Sequence, residues 1–145
     1  MQLNDSQKKA IINEYNQWKD KMYANKTLSE RQDFGQFFTP PELTIKMLEK
    51  FEDLDGVIID PTCGAGNLLA AAIAAGARPE NIYGNELDEE ILNVCKERLM
   101  ALGVPEGNFF LSDILTEKFW DFLKNKGIIK SKEFRSGNFK FGGLK

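Results

Sequence analysis

At 145 residues, with 42% hydrophobic and 28% charged side chains, the chain is long enough for one compact domain with a buried core, and its composition is neither disordered nor fibrous. It has no histidine, and its two cysteines, Cys63 and Cys95, lack CxxC spacing, which excludes a four-ligand Cys/His zinc site and any Ser-His or Cys-His nucleophile pair. The net charge of −3 hides an asymmetry: from Lys118 onward eight basic side chains face only Asp121 and Glu133, the pattern of a solvated tail or of a segment that meets an anion such as nucleic acid.

No apolar run reaches the ~18 residues of a membrane span, and the first residues lack the apolar stretch of a secretion signal. A cytoplasmic protein without membrane association is therefore expected.

In chain order, Ile11, Tyr15, Trp18 and Met22 recur at steps of three or four and predict a helix over about 6–25. A polar linker follows over 25–33. A second helix is expected from Thr39, where Thr39 and Glu42 have capping-box spacing and Pro40 suits the first turn. Leu43, Met47, Leu48 and Phe51 would form its buried face.

From Val57 the pattern becomes strand, helix, strand, helix, strand. Val57 to Asp60 reads as a short buried parallel strand, and a glycine turn over 62–66 leads into an Ala/Leu helix that stops near Gly76. Asn81 to Asn85 is a second strand, followed by a helix using Ile91, Leu92, Cys95 and Leu99 and stopped by Gly103. Asn108 to Leu111 is a third strand, and Phe119, Phe122 and Leu123 mark a short helix ending at Gly127. This alternation predicts an α/β fold with a short parallel sheet and N-terminal helices. Three segments follow: an N-terminal helix and linker (1–32), an α/β domain (33–126) and a basic C-terminal tail (127–145).

The turn after the first strand reads Asp60-Pro61-Thr62-Cys63-Gly64-Ala65-Gly66. Its glycines let backbone approach a ligand, and the helix start beyond them aims free N–H groups at it. Position 69 is Leu, so the third glycine of the dinucleotide pattern GxGxxG is missing, and no Gly-Lys-Ser/Thr of a P-loop follows. Glu86 lies at the end of the second strand, 20 residues after Gly66, where an acid can accept hydrogen bonds from ribose hydroxyls. Asp113 closes the third strand, where a carboxylate can take an amino hydrogen of adenine. Each acid alone would be read as a cap on the next helix. Three of them beside a glycine turn point to one ligand crevice at the carboxyl edge of the sheet.

These residues carry a resemblance. Asp60 to Gly66 resembles the D-P-x-C-G-x-G segment of amino-group DNA methyltransferases, and Gly35-Gln36-Phe37-Phe38-Thr39-Pro40 is similar to the G-x-F-x-T-P segment that precedes it in the adenine-specific (N6) class. The order of the two segments, then Glu86, then Asp113, matches that class over residues about 33–116. The resemblance implies a partial Rossmann-like S-adenosylmethionine-dependent methyltransferase fold, S-adenosylmethionine as cofactor and DNA as partner, in a restriction-modification setting. It also implies roles. Phe38, Thr39 and Pro40 would flank the methionine end of the cofactor, and Asp60, Cys63, Gly64 and Gly66 would form the loop beneath it, with Asp60 near its amino group. Cys63 is equally readable as a small buried residue. Glu86 would hold the ribose, Leu87 and Ile114 would wall the adenine, and Asp113 would bind its amino group.

The sequence departs from the family where the acceptor chemistry belongs. No proline follows Asp113, so the Asn/Asp-Pro-Pro-aromatic loop that holds an extruded adenine is absent; the only Pro-Pro, Pro40-Pro41, is followed by Glu42. No catalytic residue and no metal ligand is assigned. The expectation is a split or truncated methyltransferase that needs a missing catalytic half, inactive as this chain alone. The alternative is an inactive cofactor-binding or interaction module, such as a restriction-modification or phage-related regulator. With no fourth strand evident, Val57 to Ile59 would present an open edge. A second copy or a partner chain is the favoured cover over the tail's own 127–129 or 138–141, because the tail is polar and Lys-rich.

Overall fold

Helix α1 spans Asp5–Tyr23 and starts at a capping box: Asn4 accepts the Gln7 N–H at 2.8 Å while the Gln7 side chain accepts the Asn4 N–H at 2.9 Å. Ile11 and Trp18 are buried on its inner stripe, with Tyr15 and Met22 half-buried beside them. The computed structural model describes residues 1–24, 26–27, 29–30, 38–129 and 139–141. Most of the predicted linker, and Gly35, Gln36 and Phe37 of the G-x-F-x-T-P segment, lie outside the described residues.

Two Thr-x-x-Glu sequences behave differently. Thr27 and Glu30 exchange backbone-to-side-chain hydrogen bonds at 3.1 and 3.2 Å and open a helical turn where a linker was expected. Thr39 and Glu42 do not form the expected box. Helix α2 spans Pro41–Leu48, with Pro40 as its N-cap and no side-chain cap bond. A residue before proline is pushed out of the helical region, so Pro40 (ψ 139°), which precedes Pro41, stays extended and the helix begins only at Pro41. Its buried face is Thr44, Ile45 and Leu48, while Leu43, expected inside, is 50% exposed.

Beyond this the chain runs β1 (Val57–Asp60), α3 (Asn67–Ala74), β2 (Ile82–Glu86), α4 (Glu89–Ala101), β3 (Phe109–Leu111), α5 (Lys118–Asn125) and β4 (Phe139–Phe141). All strand pairs are parallel, in the order β3-β2-β1-β4, with Ile58 opposite Ile82 and Ile59 opposite Tyr83. Strand periodicity then sorts these side chains into two layers. Ile58 and Ile82 join Leu3, Ile11, Leu48, Leu69, Cys95 and Leu99 in one core; Ile59 and Tyr83 join Phe119, Leu123 and Ile129 in the other. The short parallel α/β sheet with N-terminal helices predicted from the sequence is the fold observed. Strand β2 starts at Ile82 rather than Asn81 because Pro79–Asn81 forms a 3-10 turn. Strand β3 starts one residue late for a similar reason: Asn108 ends the 3-10 turn Glu106–Asn108, and its buried amide donates to the carbonyls of Glu80 and Ile82.

The expectation of an intermolecular cover for β1 is overturned. Phe139, Lys140 and Phe141 of the same chain pair with Val57, Ile58 and Ile59, so the tail closes that edge in cis. The Lys-rich composition argued against a strand buried on both edges, but β4 is the outermost of the described strands, and a lysine between two apolar residues suits an edge. No described helix is long and apolar enough to cross a membrane.

Candidate cofactor site

The carboxyl ends of β1, β2 and β3 each carry one acid, and each closes the same local turn. Asp60 accepts the Thr62 N–H at 3.1 Å, Glu86 accepts the Asp88 N–H at 2.8 Å and Asp113 accepts the Leu115 N–H at 2.9 Å. In every case one carboxylate oxygen fixes backbone two residues on. The helix-capping alternative is therefore half right: the acids close turns, whereas the N-cap of α4 is Asp88, which accepts from Glu90 and Ile91 N–H. The second Glu86 oxygen accepts the Gly64 N–H at 3.1 Å, which ties the glycine turn to β2. The Cys63 N–H donates to the Asn85 carbonyl at 2.8 Å and completes that link.

The two glycines differ in their tasks. Gly64 has φ +54°, and no atom lies within 4 Å of where a Cβ would stand, so its backbone faces open space. Gly66 has φ +84°, and a Cβ there would meet Cys95 Sγ at 3.0 Å and Leu99 Cγ at 3.3 Å. Gly64 thus leaves one surface of the turn clear, and Gly66 lets the turn pack on α4. Cys63 is buried with its Sγ 3.6 Å from Cys95 Sγ, and Gly84 leaves the room for it. The shared sulfur contact, together with burial, pushes the Cys63 thiol well above its ordinary value, so it is a packed thiol rather than a nucleophile.

Glu86, Leu87, Asp113 and Ile114 come together around one cleft of about 160 Å³, with Pro61 and Thr62 on its β1 side. Leu87 is 66% exposed, an apolar side chain with nothing packed over most of it. Asp60, the last residue of β1, is 4% exposed. Burial pushes its carboxyl up to about 7, against the pull of the Thr62 N–H and with a further push from the Glu86 charge. Sequence reasoning missed the part that holds these ends in register. Asn85, fully buried, donates to the carbonyls of Pro61 and Ser112 at 3.1 and 3.0 Å and accepts the Ser112 hydroxyl at 2.7 Å, bridging all three strand ends. An Asn inside the apolar strand Ile82-Tyr83-Gly84-Asn85 was the available signal.

The Phe38–Pro40 segment divides. The Phe38 ring lies edge-on to Tyr15 and Tyr23 of α1, with centroids 6.1 and 5.7 Å away, and Pro40 is exposed. Thr39 reaches the glycine turn: its hydroxyl accepts from the Asn67 amide at 3.5 Å, one residue past Gly66. Among the described residues no cluster of Cys, Asp or Glu suits a metal ion.

The groups present fit S-adenosylmethionine. Glu86 and Asp113 offer carboxylates to a ribose diol and an exocyclic amine, Leu87 and Ile114 offer apolar walls to a flat base, and a buried carboxyl such as Asp60 gains by meeting an ammonium.

The chain is similar to known methyltransferases over part of its length. The type II methyltransferase M.VspI of Vibrio sp. (strain 343) is 35% identical over 88 residues, which is 59% of this chain and 22% of that protein. The type II methyltransferase M.NspV of Nostoc sp. is 35% identical over 89 residues, 56% of this chain and 18% of that protein. This chain thus spans about a fifth of the length of these relatives. Among solved structures, a type I restriction-modification methyltransferase subunit from Streptococcus thermophilus is 28% identical with a TM-score of 0.44, covering 57% of this chain and 20% of that one. A sequence model described as N-6 DNA methylase matches residues 3–133, nearly the whole chain, and the chain belongs to that family.

Proposed function

We propose that this chain is the S-adenosylmethionine-binding part of an adenine-N6 DNA methyltransferase and acts with an acceptor-binding half that its 145 residues do not contain. The observation that carries this reading is the convergence of Glu86, Leu87, Asp113 and Ile114 on one cleft, with Glu86 also holding the N–H of Gly64. At about 160 Å³ the cleft is smaller than the roughly 300 Å³ at the low end of drug-sized ligand sites, which suits the nucleoside end alone. Glu86 would take the ribose hydroxyls on lone pairs its two N–H partners leave free, and Asp113 would take the adenine amine on the oxygen not used by Leu115. The methionine end would then run over Gly64 toward Asp60 and Thr39. Bound there, S-adenosylmethionine supplies a methyl group on a sulfonium. This chain's residues bind it and orient it.

Titration calorimetry tests the cleft. S-adenosylmethionine and S-adenosylhomocysteine should bind and NAD should not, and Glu86→Ala should weaken binding by roughly 1–3 kcal/mol through loss of charge-assisted hydrogen bonds. Unchanged affinity in that variant would sink the ribose assignment.

A second expectation concerns the reaction. Without an Asn/Asp-Pro-Pro-aromatic loop nothing in these 145 residues grips an extruded adenine, so the isolated chain should transfer no methyl group to DNA. Tritium incorporated into mixed-sequence DNA above a no-protein control, and lost in Asp60→Ala, would refute this.

A further inference from the structure

A buried polar relay joins four elements that the cofactor reading leaves unconnected. Arg98 of α4 is 2% exposed, and its guanidinium donates through Nε and Nη2 to both oxygens of Glu14 on α1, at 3.0 and 2.6 Å. Its remaining arm, Nη1, donates to the side-chain oxygen of Asn67 at 2.9 Å. Asn67 is the first residue of α3, directly after Gly66, and its amide in turn donates to the Thr39 hydroxyl. The guanidinium carbon lies over the Trp18 ring, 5.9 Å from its centre. Glu14, Thr39, Asn67 and Arg98 line a cavity of only about 10 Å³, so little space remains around them.

The order of groups gives the relay a direction. A planar guanidinium forked on a carboxylate through two of its nitrogens has one orientation, so the position of Nη1 is fixed. That arm orients the Asn67 side chain, and Asn67 presents its amide to Thr39. Swapping a buried ion pair for apolar residues is often neutral for stability, so its more measurable consequence is orientation. Glu14 lies 84 residues from Arg98 in sequence.

We propose that Arg98 and Asn67 are positioning residues that hold Thr39 and the Gly64–Gly66 turn in the geometry the cofactor's methionine end requires. The affinity consequence rests on the cofactor reading above; the effect on backbone order does not. Titration calorimetry and amide hydrogen exchange on the full chain test the two separately. Asn67→Ala keeps the Arg98–Glu14 fork and should raise the Kd for S-adenosylmethionine roughly 2–10-fold, as should Thr39→Val. The losses in Asn67→Ala and Thr39→Val should combine less than additively in the double variant, and Thr39→Ser, which keeps the hydroxyl, should bind more tightly than Thr39→Val. In the ligand-free protein, Asn67→Ala should speed exchange over residues 38–44 and 62–68 and leave β2 and β3 unchanged. Additive losses in the double variant, or faster exchange spread evenly over the chain, would overturn the proposal and leave Asn67 with a purely structural role. If the native chain binds no S-adenosylmethionine, the proposed function fails, and the exchange pattern alone still decides whether the relay orders the turn.

Discussion

Asp60→Asn is expected to make the protein more stable at neutral pH while removing its hold on the cofactor. The Asp60 carboxyl is pushed from 3.8 up to about 7 in the folded chain, first by burial, with the Glu86 charge adding to it. Between those values the folded state carries a proton that the unfolded state has released. The unfolded state then binds fewer protons, and stability falls with rising pH. The contribution is fully present below about pH 4 and fully lost above about pH 7. At roughly 1.4 kcal/mol per pH unit the loss approaches about 4 kcal/mol, a large share of a small domain's stability. Asparagine cannot ionise, yet its side-chain oxygen still accepts the Thr62 N–H. The variant should match the native chain near pH 4 and exceed it by about 2–4 kcal/mol at pH 8, read from urea midpoints. Parallel curves for the two proteins across that range would refute the assignment.

The same shift gives binding a pH dependence. With Asp60 beside the cofactor's ammonium, as proposed, the bound state needs the carboxylate. Below pH 7 binding must then expel a proton, and affinity should rise up to about tenfold per pH unit until it levels above pH 7. Calorimetry in buffers of different ionisation enthalpy measures that proton directly, and Asp60→Asn should show weak, pH-independent binding. A destabilising buried acid at the point where the proposed site would hold a cation is the usual conflict between stability and function.

What the sequence made legible was local. The strand Val57–Asp60 stood out because a buried parallel strand is a short continuous apolar run, and the acid ending it stood out against that run. What stayed hidden depends on distant partners. Nothing near Arg98 announces Glu14 and Asn67, and on a helix an arginine reads as solvated until the fold surrounds it. Gly64 and Gly66 look equivalent in Cys-Gly-Ala-Gly, and only the arrival of Cys95 and Leu99 separates their roles. The start of α2 was legible in principle. Two prolines in a row outrank a capping box, because a steric bar on the helical region is stronger than the roughly 1 kcal/mol of a cap. Strand β4 is three residues around a lysine, too short to give a period, and it counts as a strand only because β1 offers an edge.

That edge makes removal of residues 130–145 the other large expected effect. Truncation after Ile129 keeps α5 and the side chains of Phe119, Leu123 and Ile129 in their core. It takes away β4, the partner of Val57, Ile58 and Ile59 on one side of β1. Ile58 and Ile59 are fully buried, so their freed N–H and C=O groups are poorly placed to reach water, and each buried group left unpaired costs about 1–3 kcal/mol. Releasing Phe139, Lys140 and Phe141 returns about 1–2 kcal/mol each in chain entropy, which offsets part of the loss. The net expectation is a fall of about 2–4 kcal/mol in urea unfolding at low protein concentration. A flat apolar strand with an open edge also templates pairing with a second chain. The truncated protein should therefore regain stability as its concentration rises and sediment as a dimer or larger species, because association linked to folding makes stability depend on concentration. A truncated chain that stays monomeric and loses no stability would show that β4 does not close the sheet in solution, and would reopen the edge of β1 to a partner chain.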